Sequence, residues 1–232
     1  MKSVFITGLS GDLGHEIART FAPDWEVWGT RHQEQIESSP VHLVDCDLQN
    51  RESIEAALQS WSSQVDDPAV VIHAAGSPSQ GLLHHYTEEE FDQLLSSHLR
   101  SSVWLAQATG KIFFPRKAGH LIFISSLAGL RPRVGQSLYS MVKGGMNSLT
   151  RSLAKEWALK QIRVNAIAPG FIESKIINQQ TDQVRTEMIN QIPLRRFGEA
   201  SEVGQLARYL ASDSSSYLTG QVIHLDGGAS IS

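Results

Sequence analysis

A chain of 232 residues with a formal net charge of −4 carries 41% hydrophobic and 19% charged residues. That balance is ordinary for a globular fold and speaks against broad nucleic-acid binding, which needs a basic surplus. Cys46 is the only cysteine, so an internal disulfide and a thiolate zinc site are both excluded, and no metal centre is expected. Met1-Lys2-Ser3 leads straight into Val4-Phe5-Ile6 without a signal-peptide core. No apolar run approaches the roughly 20 residues of a membrane span, so a cytoplasmic protein without membrane contact is expected.

In chain order, strand-like apolar runs occupy Val4 to Thr7, Glu26 to Thr30, Val41 to Val44, Val70 to His73, Leu121 to Ser125, Arg163 to Ile167 and Val222 to Leu225. Between them, Arg51 to Ser63, Phe91 to Lys111 and Tyr139 to Leu159 repeat apolar residues every three to four positions, the helical period. Strands alternating with helices predict an α/β fold, a seven-stranded parallel sheet covered on both faces. Nothing marks a linker or a repeat, so residues 1–232 are read as one domain. The stretch Glu173 to Arg196 is long and polar, and a segment of that kind in a compact domain is usually functional. It is expected to act as a mobile flap over the active site.

Directly after the first strand comes Thr7-Gly8-Leu9-Ser10-Gly11-Asp12-Leu13-Gly14, followed by a helical stretch from His15 to Phe21. Glycines permit a tight turn and let backbone amides approach a pyrophosphate, while the helix N-terminus adds its positive dipole end. Three glycines alone would be no more than a turn, but their place between strand and helix points to a dinucleotide. The second strand ends Gly29-Thr30-Arg31-His32, where the adenosine ribose of such a ligand arrives. An acidic residue there would favour NAD, whereas Arg31 offers a charge-assisted partner for a 2′-phosphate. NADP(H) is therefore favoured over NAD(H).

Tyr139-Ser140-Met141-Val142-Lys143 sets a phenol and an ammonium one helical turn apart on the same face. A free phenol ionises near ~10, and a neighbouring ammonium lowers that by stabilising the phenolate. Upstream, Ser125-Ser126 closes a central strand, and open parallel sheets bind ligands beyond the carboxyl ends of their strands. Ser126 is thus a candidate to hold a substrate carbonyl while Tyr139 delivers a proton.

With these residues in place the chain resembles the short-chain dehydrogenase/reductase family, and within it the 3-oxoacyl-[acyl-carrier-protein] reductases. The resemblance runs through the glycine turn, Asp45-Cys46-Asp47-Leu48, His73-Ala74-Ala75-Gly76, Ser126, Tyr139 and Lys143. It continues through Arg163 to Ile172 and from Leu218 to Gly228. It implies a Rossmann-type, doubly wound three-layer fold and reduction of a carbonyl by hydride transfer from a nicotinamide cofactor. Ser126 would polarise the carbonyl, Tyr139 protonate it, and Lys143 tune the tyrosine and hold the ribose. Gly8, Ser10, Gly11, Asp12, Leu13 and Gly14 would cradle the pyrophosphate, with Thr30 and Arg31 beside the adenosine. Asp47 and Leu48 would contact the adenine, and Ala75-Gly76 would pass its ribose. Pro169, Gly170 and Ile172 would line the nicotinamide, with the Ser174 hydroxyl near a phosphate.

Three positions depart from the family pattern. The turn reads Gly-x-x-Gly-x-x-Gly, and Gly11 stands where NADP-using relatives often carry a basic residue. Ala74 replaces an asparagine that braces the central strands. His98 replaces the fourth catalytic residue, an asparagine that holds a water in a proton relay from the lysine. An imidazole there either preserves the relay and makes it pH-sensitive, or simply fills the space.

The implied substrate is an acyl thioester on an acyl carrier protein, as in fatty acid or polyketide biosynthesis. Arg116, Lys117 and Lys160, with Arg131 and Arg133, would form a docking surface for that acidic partner. A dehydrogenase of a free alcohol, sugar or steroid is the alternative on the same fold, and a scaffold or redox sensor without turnover is a third. The resemblance also implies a homotetramer pairing the helices Phe91 to Lys111 and Tyr139 to Leu159. Ser101, Ser102, Ala106, Ala108, Gly144 and Gly145 would permit their close approach.

Overall fold

A computed structural model describes residues 1–31 and 41–231; His32 lies outside them. Strand β1 (Lys2–Thr7) leads through the glycine turn into helix α1 (Asp12–Phe21), followed by β2 (Glu26–Arg31) and β3 (Val41–Asp45). Then come α2 (Arg51–Gln64), β4 (Asp67–His73), α3 (Glu88–Leu94), α4 (Ser101–Arg116) and β5 (Gly119–Ile124). The chain continues through α5 (Ser137–Trp157), β6 (Ile162–Pro169), α6 (Lys175–Asn178), α7 (Asp182–Asn190), α8 (Ala200–Ala211) and β7 (Val222–Leu225).

The strands form one seven-stranded parallel sheet in the order β3-β2-β1-β4-β5-β6-β7. Successive strand side chains point to opposite faces, and the core divides accordingly. Val4 and Ile6 pack with Ile17, Phe21, Val203 and Leu210 on the α1/α8 face. Phe5 and Val71 pack with Trp61, Leu105, Phe113 and Trp157 on the face of α2, α4 and α5. The buried Trp61 indole finds its acceptor in Ser3 Oγ at 2.7 Å. The strand order reverses between β1 and β4, so a crevice opens at the carboxyl ends of these two strands, and the glycine turn stands at its edge.

The long helix expected over Phe91 to Lys111 is a composite. A π-turn at Leu95–Arg100 joins α3 to α4, and its C-terminal half carries His98. Hydroxyls that bond to backbone help absorb the wider turn: Ser97 Oγ donates to Gln93 O at 2.8 Å and Ser101 Oγ to Ser97 O at 2.8 Å. The Glu173 to Arg196 stretch is also not a bare loop. It holds α6 and α7, and Arg185 of α7 fastens it, bonding to Glu173 Oε1 at 3.1 Å, Asn178 Oδ1 at 2.8 Å and Ile177 O at 3.2 Å.

Candidate active site

The glycine turn is shaped by close backbone approach. Gly8 adopts φ +79°, and a Cβ on it would stand 2.7 Å from the Ala75 backbone. Helix α1 begins after Gly11 with no side chain capping its first amides, so these donors remain for an anionic ligand. Two cavities of about 580 and 510 Å³ meet here, sharing Ser10, Gly11, Ala74, Gly76, Ser77 and Pro78. The first runs past Thr30, Cys46, Asp47 and Leu48. The second runs past Asp12, Leu13 and Gly14 to Ser126, Tyr139, Pro169, Gly170, Ile172 and Ser174. An uncapped helix start beside a side-chain-free turn, opening into a long crevice, fits a dinucleotide. Nearly all the residues expected to hold one line it.

Three expected cofactor contacts are engaged within the protein. Arg31 Nε donates to Asp45 Oδ1 at 2.6 Å, so its guanidinium is already paired at the ribose end. The Ser174 hydroxyl accepts from Ile177 N at 3.4 Å and caps α6. Asp12 Oδ2 accepts from Lys175 N at 3.1 Å, linking the phosphate turn to the base of the expected flap.

At the far end of the second cavity, Ser126 follows β5 by two residues and Tyr139 stands in the first turn of α5. Ser125 Oγ donates to Asn147 Oδ1 at 2.6 Å, and Asn147 Nδ2 donates to Gly129 O at 3.3 Å, so α5 positions the Ser126 loop directly. The contributions of Ser125 and Asn147 were not legible in the sequence, where only the Ser125-Ser126 pair gave a signal. Burial raises the Tyr139 phenol above the ordinary range, and a hydrogen bond with Ser126 offsets part of that. Lys143 is 3% exposed and donates from Nζ to Ile124 O at 3.0 Å. Its Nζ lies 5.8 Å from the Tyr139 ring centroid. Burial pushes the ammonium down to about 8. In the resting protein, then, desolvation moves the phenol upward, against the direction expected from Lys143 alone.

His98 is fully buried, its ring edge-to-face with Tyr139 at 5.6 Å between centroids. Nε2 lies 2.9 Å from Ser77 O and donates to that acceptor-only carbonyl, which fixes the tautomer and leaves Nδ1 unprotonated. Burial, then the charge of Lys143, push its pKa down to about 4, so the ring is neutral near pH 7 and does not titrate there. A Cβ on Gly76 would meet His98 Cε1 at 2.3 Å, so imidazole and cofactor loop are in tight contact. His73, in the same buried layer, bonds through Nδ1 to Thr7 Oγ1 at 2.7 Å and lies 3.4 Å from Ser101 Oγ. It braces β1 against α4, the kind of work lost where Ala74 stands.

Beyond this crevice, Arg116 pairs with Asp67 at 2.7 Å. Among the described residues no cluster of potential metal ligands occurs, and no helix is long and apolar enough to cross a membrane.

A family model described as enoyl-(acyl carrier protein) reductase, of the short-chain dehydrogenase/reductase group, matches residues 12–230. The chain belongs to the short-chain dehydrogenase/reductase family. It is an NAD(P)-dependent oxidoreductase. The chain is 31% identical to 3-oxoacyl-[acyl-carrier-protein] reductase FabG of Chlamydia trachomatis, over 98% of this chain and 96% of that one. Nodulation protein G of Rhizobium meliloti is 32% identical over the same shares. The crystal structure of gox2181 superposes with a TM-score of 0.93 at 26% identity, covering 100% of this chain and 96% of its own.

Proposed function

We propose that the protein reduces a 3-oxoacyl thioester, carried on an acyl carrier protein, to the 3-hydroxyacyl thioester with NADPH. The observation that carries this reading is the bonded Ser126–Tyr139 pair lining the crevice, with the Lys143 ammonium buried one helical turn away. Relatives named as 3-oxoacyl reductases, at about this level of identity along the whole chain, suggest the class of carbonyl.

The nicotinamide supplies the hydride to the carbonyl carbon when bound. Ser126 Oγ holds the carbonyl oxygen, and Tyr139 gives that oxygen its proton, so that C=O gains a hydride and a proton to become CH–OH. Lys143 then faces the phenolate left behind, and the attraction between the two is strong in a water-poor site. Glu173 to Arg196, tied down by Arg185, closes over the reactants. His98 fills the place of the family asparagine as a neutral spacer with Nε2 held on Ser77 O.

Arg31 favours NADPH because a 2′-phosphate competes with Asp45 for its guanidinium. Lys117 and Lys160, which have no ion pair among the described residues, carry the docking charge for the acidic carrier, while Arg116 is held by Asp67. Assembly as a homotetramer through α4 and α5, in the cytoplasm, completes the reading. A relative named nodulation protein G, with no acyl carrier in its name, keeps a second reading in play, in which the same residues serve a dehydrogenase of a free alcohol, sugar or steroid.

Oxidation of NADPH and of NADH with an acetoacetyl thioester tests the proposal. NADPH consumption that falls by about a thousandfold in Tyr139→Phe supports reaction, cofactor and donor together. Turnover on free ketones alone would move the protein to the second reading. Lys117→Glu with Lys160→Glu should slow carrier-linked substrate and spare the free thioester. Equal rates on the carrier-linked substrate would remove the docking surface.

A further inference from the structure

We infer that Arg133 seats an oxyanion, a phosphate or carboxylate, on the part of the substrate remote from its reacting carbonyl. This rests on the functional reading above, because the seat belongs to the same cavity. That cavity, of about 510 Å³, is lined by Ser126 and Tyr139 and also by Arg131, Arg133 and Phe171. The Arg133 guanidinium lies over the Phe171 ring, 4.8 Å from its centroid, a contact that steadies a long side chain.

Lys175 and Arg133 both line the cavity without an ion pair among the described residues, and Arg133 is the one held over an aromatic ring. Glu173 is taken by Arg185 at 3.1 Å, and Asp12 accepts from Lys175 N at 3.1 Å. Arg131 is turned onto the Ala229 carbonyl. Arg133 itself has no carboxylate partner among the described residues, although the chain pairs Arg19, Arg31, Arg51, Arg116, Arg196 and Arg208 with acids. A guanidinium without a counter-ion, held by an aromatic ring beside the reacting groups, is built to receive a planar or tetrahedral oxyanion in a bidentate grip. The phosphate groups of a carrier arm and the carboxylate of a free oxo acid share that chemistry.

The test measures binding in the full-length protein with NADP⁺ present, so that no turnover intervenes. Three ligands are compared: the uncharged N-acetylcysteamine thioester of acetoacetate, acetoacetyl-coenzyme A with its phosphates, and acetoacetate with its carboxylate. Arg133→Gln should raise the Kd of an anionic ligand about tenfold and leave the neutral thioester within about twofold. Arg133→Lys should recover part of the loss, since it keeps the charge without the fork. A loss confined to the coenzyme A thioester assigns the seat to phosphate, and a loss confined to acetoacetate assigns it to carboxylate. Unchanged Kd values for both anions, or an equal loss with the neutral thioester, would overturn the seat and leave the reductase reading standing. Wild-type protein that binds the anions through Arg133 but oxidises NADPH with none of the three would instead overturn the reductase reading.

Discussion

Replacement of Lys143 by methionine separates the cost of a buried charge from its use. The ammonium is 3% exposed and burial takes its pKa from 10.5 to about 8, so between these values the unfolded chain keeps a proton that the folded chain has released. Stability of the wild type therefore rises with pH across that window, by about 1.4 kcal/mol per pH unit. From about pH 8 to about pH 9.5 the gain is on the order of 2 kcal/mol. Lys143→Met lacks this term, and its unfolding free energy should stay flat over the same range apart from contributions common to both proteins. The bond to Ile124 O does not blur the comparison, because a neutral amine still donates. Keeping below about pH 10 also avoids Tyr139, whose raised pKa acts in the opposite sense. The assay is urea unfolding at several pH values, reading the difference between the two proteins. A difference independent of pH would show that Lys143 is not desolvated as its burial requires. At neutral pH the variant should also be inactive in carbonyl reduction.

Asp45→Asn removes the carboxylate that holds Arg31 at 2.6 Å, and should raise the preference for NADPH over NADH about tenfold in kcat/KM; an unchanged ratio would detach Arg31 from cofactor choice. His98 and His73, pushed down to about 4 and about 3 by burial, are neutral in the fold and charged when unfolded. Stability should therefore be full above about pH 6.5 and fall as pH drops from there towards 4, less steeply in His73→Asn, as read by unfolding titrations. Gly76→Ala drives a methyl into the His98 ring at a φ of +130°, and should destabilise by about 2 kcal/mol or more. In a double-mutant cycle His98→Ala should recover the steric part only, so strict additivity of the two losses would refute the contact.

The sheet was legible because each strand of a covered parallel sheet is a short apolar run, and the seven expected runs correspond to the seven strands, with ends moved by up to three residues. The crevice was legible for a related reason: glycine turns and strand ends sit at fixed places in such a topology. What escaped depends on contacts between distant residues. The break in the helix before Ser101 comes from a wider turn in a segment whose apolar period continues undisturbed. The Arg31–Asp45 pair joins the ends of neighbouring strands, and neither residue announces its partner. His73 could be read only as the end of a strand-like run and the start of His73-Ala74-Ala75-Gly76, since its partner at Thr7 and its approach to Ser101 come from β1 and α4.

Three basic groups, His73, His98 and Lys143, share one buried layer, and their mutual influence explains why a single charge survives there. The Lys143 charge adds to desolvation in pushing both imidazoles down, so both rings are neutral near pH 7. Lys143 keeps its proton in the same conditions with only a neutral carbonyl as hydrogen-bond acceptor. Among the described residues that ammonium has no anion to repay its desolvation, and Tyr139 beside it is a weakened acid. Both penalties change sign when the phenol gives up its proton, because an ammonium and a phenolate then face each other where water is scarce. In the proposed reaction that interaction would be stronger in the transition state than in the ground state, which is the condition for it to accelerate the step. In the proposed reaction, then, Lys143 would act as the proton leaves, and not by lowering the resting pKa of Tyr139, which burial raises.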